Sequence, residues 1–222
     1  MPATLYGANV SPFVRKVRAY LAEKGLDYTL EPVNPFDPPD GYRTLSPLGK
    51  IPAWRDDDIT LADSSVICLY LERRHPRPPL YPADDRDWAR ALWFEEYIDG
   101  AFVAKAGGGV FFPLVLAPMM MNQPVTEEVR ATVSKVIDDD LRPMWDYLEG
   151  ALGSHAFFVG DTLSMADLAV ASVHVNLYHA GVDVDAAAWP NLAAFVERMF
   201  ARPSLANLIA EETPTWSRRD AA

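Results

Sequence analysis

Apolar positions along this chain change period partway through, and the change divides it in two. The run ATLYG (residues 3–7) reads as a short strand, after which Val14, Val17 and Leu21 recur at i, i+3 and i+7 and predict a helix that stops near Gly25. DYTLEPV (27–33) reads as a second strand, while NPFDPPDGYRTLSPLG (34–49) is too rich in Pro, Gly and Asp for more than a turn of helix. IPAWRD and ITLAD then flank the acidic turn at 56–58 as two further strands. DSSVICLYLERRHP predicts a helix capped by Asp63 or Ser64, with Pro76 beyond its end.

After HPRPPLYPADDRD (75–87), whose proline and charge content marks a linker, strand signals vanish. Helices are expected near 86–106, 124–152, 164–180 and 190–201, with a short one after Pro203. The pattern therefore predicts an α/β domain over residues 1–78 and an all-α domain over 86–222. Between the first two of these helices, KAGGGVFFPLVLAPMMMNQP (105–124) carries three consecutive glycines and two interior prolines. Such residues break or kink helices, so this stretch is expected to form a flexible wall rich in aromatic and methionine side chains.

With 222 residues, half of them apolar, the chain can build a sizeable core. The formal charge of −11 argues against nucleic acid or an anionic membrane as main partner, since both are bound through excess Lys and Arg. The charge is uneven: residues 1–50 carry six basic and five acidic groups, so that quarter is the part most receptive to an anionic small molecule. A single cysteine, Cys68, cannot form an internal disulfide, and no stretch reads as a secretory leader or a membrane span; a cytoplasmic protein is expected. The four histidines (His75, His155, His174, His179) show no metal-ligand spacing.

Four motifs carry chemistry. In GANVSPFVRK, Ser11 stands at the entry to a helix with Pro12 at its first position, an ordinary cap that also presents a hydroxyl at a helix N-terminus. In GKIPA, a cis bond before Pro52 would turn the backbone N–H and C=O of Ile51 outward, ready to pair with a peptide-like ligand. In LADSSVI, Asp63 and Ser64 lie where free N–H groups and the helix dipole attract a carboxylate. In FVGDTLSMADLAVAS, Ser164 and Asp167 form a capping box with Asp in place of the usual Glu, which reads as structural.

Taken in order, NVSPFVRKVRAYLAEKGL, SPLGKIPAW, LADSSVICLYLE and FVGDTLSMADLAVAS resemble the cytosolic glutathione transferase family of the serine, bacterial-like type, from about Thr4 to Ile209. The resemblance implies a thioredoxin-like N-terminal domain that binds glutathione as co-substrate, an all-α domain that shapes the site for a small hydrophobic electrophile, a detoxifying role and a homodimer. It implies Ser11 as the hydroxyl that stabilises the thiolate, Ile51 and Pro52 as the pairing site for the cysteinyl backbone, Lys50 near the glycyl end, and Asp63 with Ser64 at the γ-glutamyl group. Tyr6 is the rival for Ser11, since other branches use a tyrosine near the end of the first strand. Phe13, Phe111, Phe112 and Met119 are assigned by location to the apolar second site. Conjugation, glutathione-dependent isomerisation or dehalogenation, and a non-enzymatic binding or scaffold role all stay open at this point.

Overall fold

A computed structural model describes residues 3–219. They form two compact units that divide between Tyr81 and Pro82.

The first unit is a four-stranded sheet of order β2-β1-β3-β4, with β1 (Thr4–Tyr6), β2 (Thr29–Glu31), β3 (Ala53–Arg55) and β4 (Thr60–Ala62). β1 pairs in parallel with β2, which requires the crossover through α1 (Pro12–Lys24), and antiparallel with β3, which forms a hairpin with β4. Register places Leu5 beside Trp54 on one face and Tyr6 beside Ala53 on the other. This is the thioredoxin-like arrangement the resemblance implied. Helix α1 ends at Gly25, whose φ of 63° needs no Cβ, and Leu26 N–H closes the end on Leu21 C=O. Helix α2 (Ser64–Arg74) packs on α1, β3 and β4.

Helix α1 departs from a simple amphipathic reading. Arg15, Lys16, Arg18 and Lys24 are all buried alongside its apolar stripe. Buried cations must be paired, and Lys24 meets Glu72 Oε2 at 2.6 Å while donating to His75 C=O and Pro78 C=O. Glu72 also accepts from Tyr20 O–H and from Leu80 N–H. The proline-rich stretch that composition marked as a linker is therefore fixed to the first unit as far as Leu80.

The second unit is helical. Helix α3 (Asp85–Glu96) runs without a break through wide π-helical turns over Tyr97–Phe102 and Ala104–Leu116 into α4 (Ala117–Met121). This corrects the expected interruption at 105–124. Ala117 N–H reaches back to Phe112 C=O, an i−5 bond that widens the helix around Pro113, so the proline is absorbed rather than ending the helix. The glycines serve close packing: a Cβ on Gly109 would sit 2.8 Å from Val136 Cγ1. The Ala104–Met121 stretch is also long and apolar enough to cross a membrane by length and composition, contrary to the sequence reading. One side of it, with Ala106, Val110, Phe111 and Val115, is buried inside the unit.

Helices α5 (Glu127–Val136) and α6 (Arg142–Leu152) are joined by another π-helical turn at Ile137–Leu141, and α7 (Met165–His179), α8 (Pro190–Phe200) and α9 (Pro203–Trp216) complete the unit. The core helix is α7, buried along nearly its whole length. At its start Asp167 accepts from Ser164 N–H, Ser164 O–H and Phe158 N–H at 2.8–3.0 Å. Further along, His174 lies between Val170 C=O (2.7 Å from Nδ1) and Trp145 N–H (3.1 Å from Nε2), which fixes a neutral ring with its proton on Nδ1.

Burial pushes Asp167 up to about 6 and His174 down to about 4. The two therefore oppose each other in acid. His174 must give up its buried neutral state as pH falls from about 6.5 through 4, while Asp167 recovers stability on taking a proton between about 6 and 4, each a change of about 3 kcal/mol. Relative to the parent, His174→Gln should gain stability as pH is lowered over that window and Asp167→Asn should lose it. Denaturant melts at pH 7, 5.5 and 4 check both signs.

Candidate functional site

Four segments meet at the end of β1 in the first unit. Gly7, just after the strand, is the point of closest approach: a Cβ there would lie 2.5 Å from Val14 Cγ2 on α1 and 3.4 Å from Ile51 Cβ. Only a residue without a side chain lets the strand end, the helix start and the segment before β3 come together. Val14 is fully buried and β-branched, so it cannot swing aside. Gly7→Ala is expected to cost about 1–3 kcal/mol by overpacking and to raise KM for the ligand held here; a thermal melt and a KM determination check both.

Ser11 is the N-cap of α1. Its Oγ accepts from Val14 N–H at 3.4 Å, a long cap bond that leaves the hydroxyl proton available for another acceptor. Tyr6, the rival, packs its ring with Ile51 and Leu45 against the Val33, Tyr42 and Ala53 cluster. Its position is that of a strand aromatic in a small core.

The Ile51–Pro52 bond is cis. The preceding carbonyl, that of Lys50, is held by Tyr42 O–H at 3.0 Å and Ser46 O–H at 2.7 Å, which anchors the approach to the bend. Among the described residues, neither the N–H nor the C=O of Ile51 has a hydrogen-bond partner within the chain. An open donor and acceptor on one residue at a sheet end form a pairing edge for an extended peptide backbone. The Lys50 side chain is exposed beside it.

Pro52 C=O accepts from Asp63 N–H at 3.4 Å, which ties the cis bend to the start of α2. Asp63 is the cap, settling the choice between it and Ser64: its Oδ1 accepts from Ser65 and Val66 N–H at 3.0 and 3.1 Å. Its φ of 85° is a strained conformation for a residue with a side chain, worth about 1–3 kcal/mol, and it leaves the carboxylate exposed. Ser64 is 3% exposed, whereas Ser65 is half-buried and its Oγ accepts from Lys16 Nζ at 3.1 Å. Lys16 was not singled out by the sequence; its spacing from Val14 and Val17 carries no signal of a contact with α2.

The side chains assigned to an apolar second site fall in both units. Phe13, in the first turn of α1, is half-buried. Phe111 is 2% exposed and belongs to the core of the helical unit, while Phe112 is half-buried and Met119 is exposed. No described group of His, Cys, Asp and Glu is arranged to hold a metal ion. A cavity of about 300 Å³ lies at the opposite end of the sheet, among Trp54, Asp56, Tyr70 and Arg74, and none of the candidate site residues lines it.

The family described as Glutathione S-transferase, N-terminal domain matches residues 5–79, and Glutathione S-transferase, C-terminal domain matches residues 109–203. A glutathione S-transferase of Triticum aestivum is 30% identical over 81% of this chain and 81% of its own. Glutathione S-transferase Z2 of Arabidopsis thaliana is 29% identical over 95% and 92%. A glutathione S-transferase of Methylobacterium radiotolerans, solved in complex with glutathione sulfonate, superposes with a TM-score of 0.74 at 29% identity, covering 94% of this chain and 95% of that one.

Proposed function

This chain belongs to the glutathione S-transferase family, a glutathione transferase with glutathione as co-substrate, and we propose that Ser11 activates the glutathione thiol by donating its hydroxyl hydrogen bond to the thiolate. The observation that carries this reading is the cap geometry of Ser11, which accepts from Val14 N–H and keeps its own proton for a sulfur at the mouth of α1. The cysteinyl backbone pairs with the open amide of Ile51, the γ-glutamyl head meets Asp63 and the start of α2 with Ser64, and Lys50 lies toward the glycyl carboxylate.

The energetics suffice without a metal or a general base. A thiol moved from a pKa of about 8.5 to about 6.5 goes from roughly 3% to roughly 75% thiolate at pH 7, a change of about 2.7 kcal/mol. A hydrogen bond to a charged group contributes about 1.5–3 kcal/mol, and the N-terminus of α1 adds about 0.3–1 kcal/mol. The thiolate sulfur then attacks a small apolar electrophile, adding to it or displacing a leaving group. Phe13, Phe112 and Met119 are the side chains we assign to contact with that molecule; Phe111 supports the helix from its buried side.

Tyr6 packing in the Val33, Tyr42 and Ala53 cluster supports Ser11 over Tyr6. Tyr6→Phe should leave kcat within about threefold, whereas its abolition of turnover would transfer the role to the tyrosine. Aryl halide, epoxide, isothiocyanate and cis/trans dienoate substrates test the reaction class: turnover of the dienoate alone would favour isomerisation. We further propose a cytoplasmic, detoxifying homodimer. The exposed Trp88 and Trp93 on α3 support self-association, and sedimentation velocity reads the oligomeric state.

A further inference from the structure

Helix α4 ends in three consecutive methionines, Met119, Met120 and Met121, and all three face solvent, at 36%, 41% and 45% exposure. Successive residues of an α-helix point about 100° apart, so the three together sweep about 200° of the helix circumference. Met121 also stands one turn beyond Ala117 on the same face, yet Ala117 is 4% exposed. Packing therefore stops between them, and the last turn of the helix projects into water. Asn122 closes it in the left-handed conformation (φ 53°), and its N–H and that of Gln123 reach back to Ala117 C=O. Apolar side chains left in water add little to stability, and methionine is the apolar residue whose exposure brings chemistry, because its thioether is a soft nucleophile open to dissolved oxidants. The other described methionines are screened: Met165 and Met199 are buried and Met144 is half-buried.

We propose that Met119, Met120 and Met121 form a modification site for hydroperoxides, at which oxidation to the sulfoxide lowers affinity for the apolar electrophile; the effect on affinity rests on the assignment of Met119 to contact with that molecule. In the step, a thioether lone pair attacks the outer oxygen of the hydroperoxide, and the S–O bond forms as the O–O bond breaks. The hydroperoxide's proton passes to the departing oxygen, which leaves as an alcohol, or as water from hydrogen peroxide; sulfur is oxidised by two electrons and the peroxide is reduced by two. A sulfoxide accepts hydrogen bonds, but the backbone at a helix C-terminus presents carbonyls rather than donors, so the oxidised side chains turn to water and withdraw from an apolar ligand. A methionine sulfoxide reductase returns the thioether while a dithiol becomes a disulfide and water is released, which makes the site reversible.

The full chain is treated with hydrogen peroxide, cleared of it with catalase, mapped by peptide mass spectrometry and assayed with glutathione and chlorodinitrobenzene. Met119, Met120 and Met121 should gain oxygen before Met144, Met165 and Met199. KM for chlorodinitrobenzene should rise about fivefold while KM for glutathione stays within about twofold, since only the electrophile must strip water from a sulfoxide. Methionine sulfoxide reductases A and B with dithiothreitol should restore the starting KM. The triple variant Met119→Leu, Met120→Leu, Met121→Leu, read against its own untreated sample, should lose the response. Oxidation that reaches the other methionines first, a KM for chlorodinitrobenzene unmoved by oxidation, or a full response in the triple variant overturns the proposal. Met119→Gln, which makes that position polar without peroxide, separates it from the assignment beneath: if Met119→Gln also leaves KM for chlorodinitrobenzene unchanged, Met119 does not belong to the electrophile site, whereas a KM raised by Met119→Gln and not by oxidation removes the modification site alone.

Discussion

Ser11→Ala is expected to lower kcat/KM for conjugation at pH 7 by about 10- to 100-fold, the equivalent of one hydrogen bond to a charged acceptor. Glutathione affinity should change little, because the tripeptide keeps its contacts at Ile51, Asp63 and the start of α2. The defect should shrink as pH is raised toward 9, where the thiol ionises without help, and a pH–rate profile of parent and variant displays that convergence. Helix α1 should survive, since the cap bond lost is long at 3.4 Å and Pro12 still presets its first turn. A melting temperature close to the parent would separate the chemical effect from a structural one.

The second large effect is on stability. Asp167→Ala removes the acceptor for Phe158 N–H, Ser164 N–H and Ser164 O–H at a fully buried site. Orphaned buried donors cost about 1–3 kcal/mol each, partly offset because a buried carboxylate pushed up to about 6 is itself costly to keep charged at neutral pH. The net expectation is about 3 kcal/mol, seen as a fall in melting temperature of about 6–12 °C. Activity per folded molecule should persist at low temperature. Loss of turnover in a variant that melts like the parent would instead place Asp167 in the reaction.

Local signals in the sequence were sufficient where the structure is local. Ser11 with Pro12, Gly25, Asp63 and the Ser164–Asp167 pair are caps and stops that depend on neighbours within a few residues, and each lies at the terminus its spacing indicates. What depends on distant neighbours was not legible. Lys16 and Lys24 look like solvent-facing charges until α2 and the segment to Leu80 pack on them. The triple glycine at 107–109 and Pro113 look like helix breakers; only the approach of Val136 and the i−5 bond to Phe112 explain a helix that continues. Phe111 and Phe112 are adjacent and chemically identical, and the face that buries the first is set by helix packing that composition does not encode.

The most direct test of thiol activation is the ultraviolet absorbance of bound glutathione thiolate, titrated from pH 5 to 10 in the parent and in Ser11→Ala at saturating glutathione. The parent should show a midpoint near 6.5, about two units below a free thiol, and Ser11→Ala should move it upward by about one to two units, with Tyr6→Phe matching the parent. A midpoint unchanged by Ser11→Ala but raised by Tyr6→Phe would contradict the assignment of the serine hydroxyl as the group that holds the thiolate.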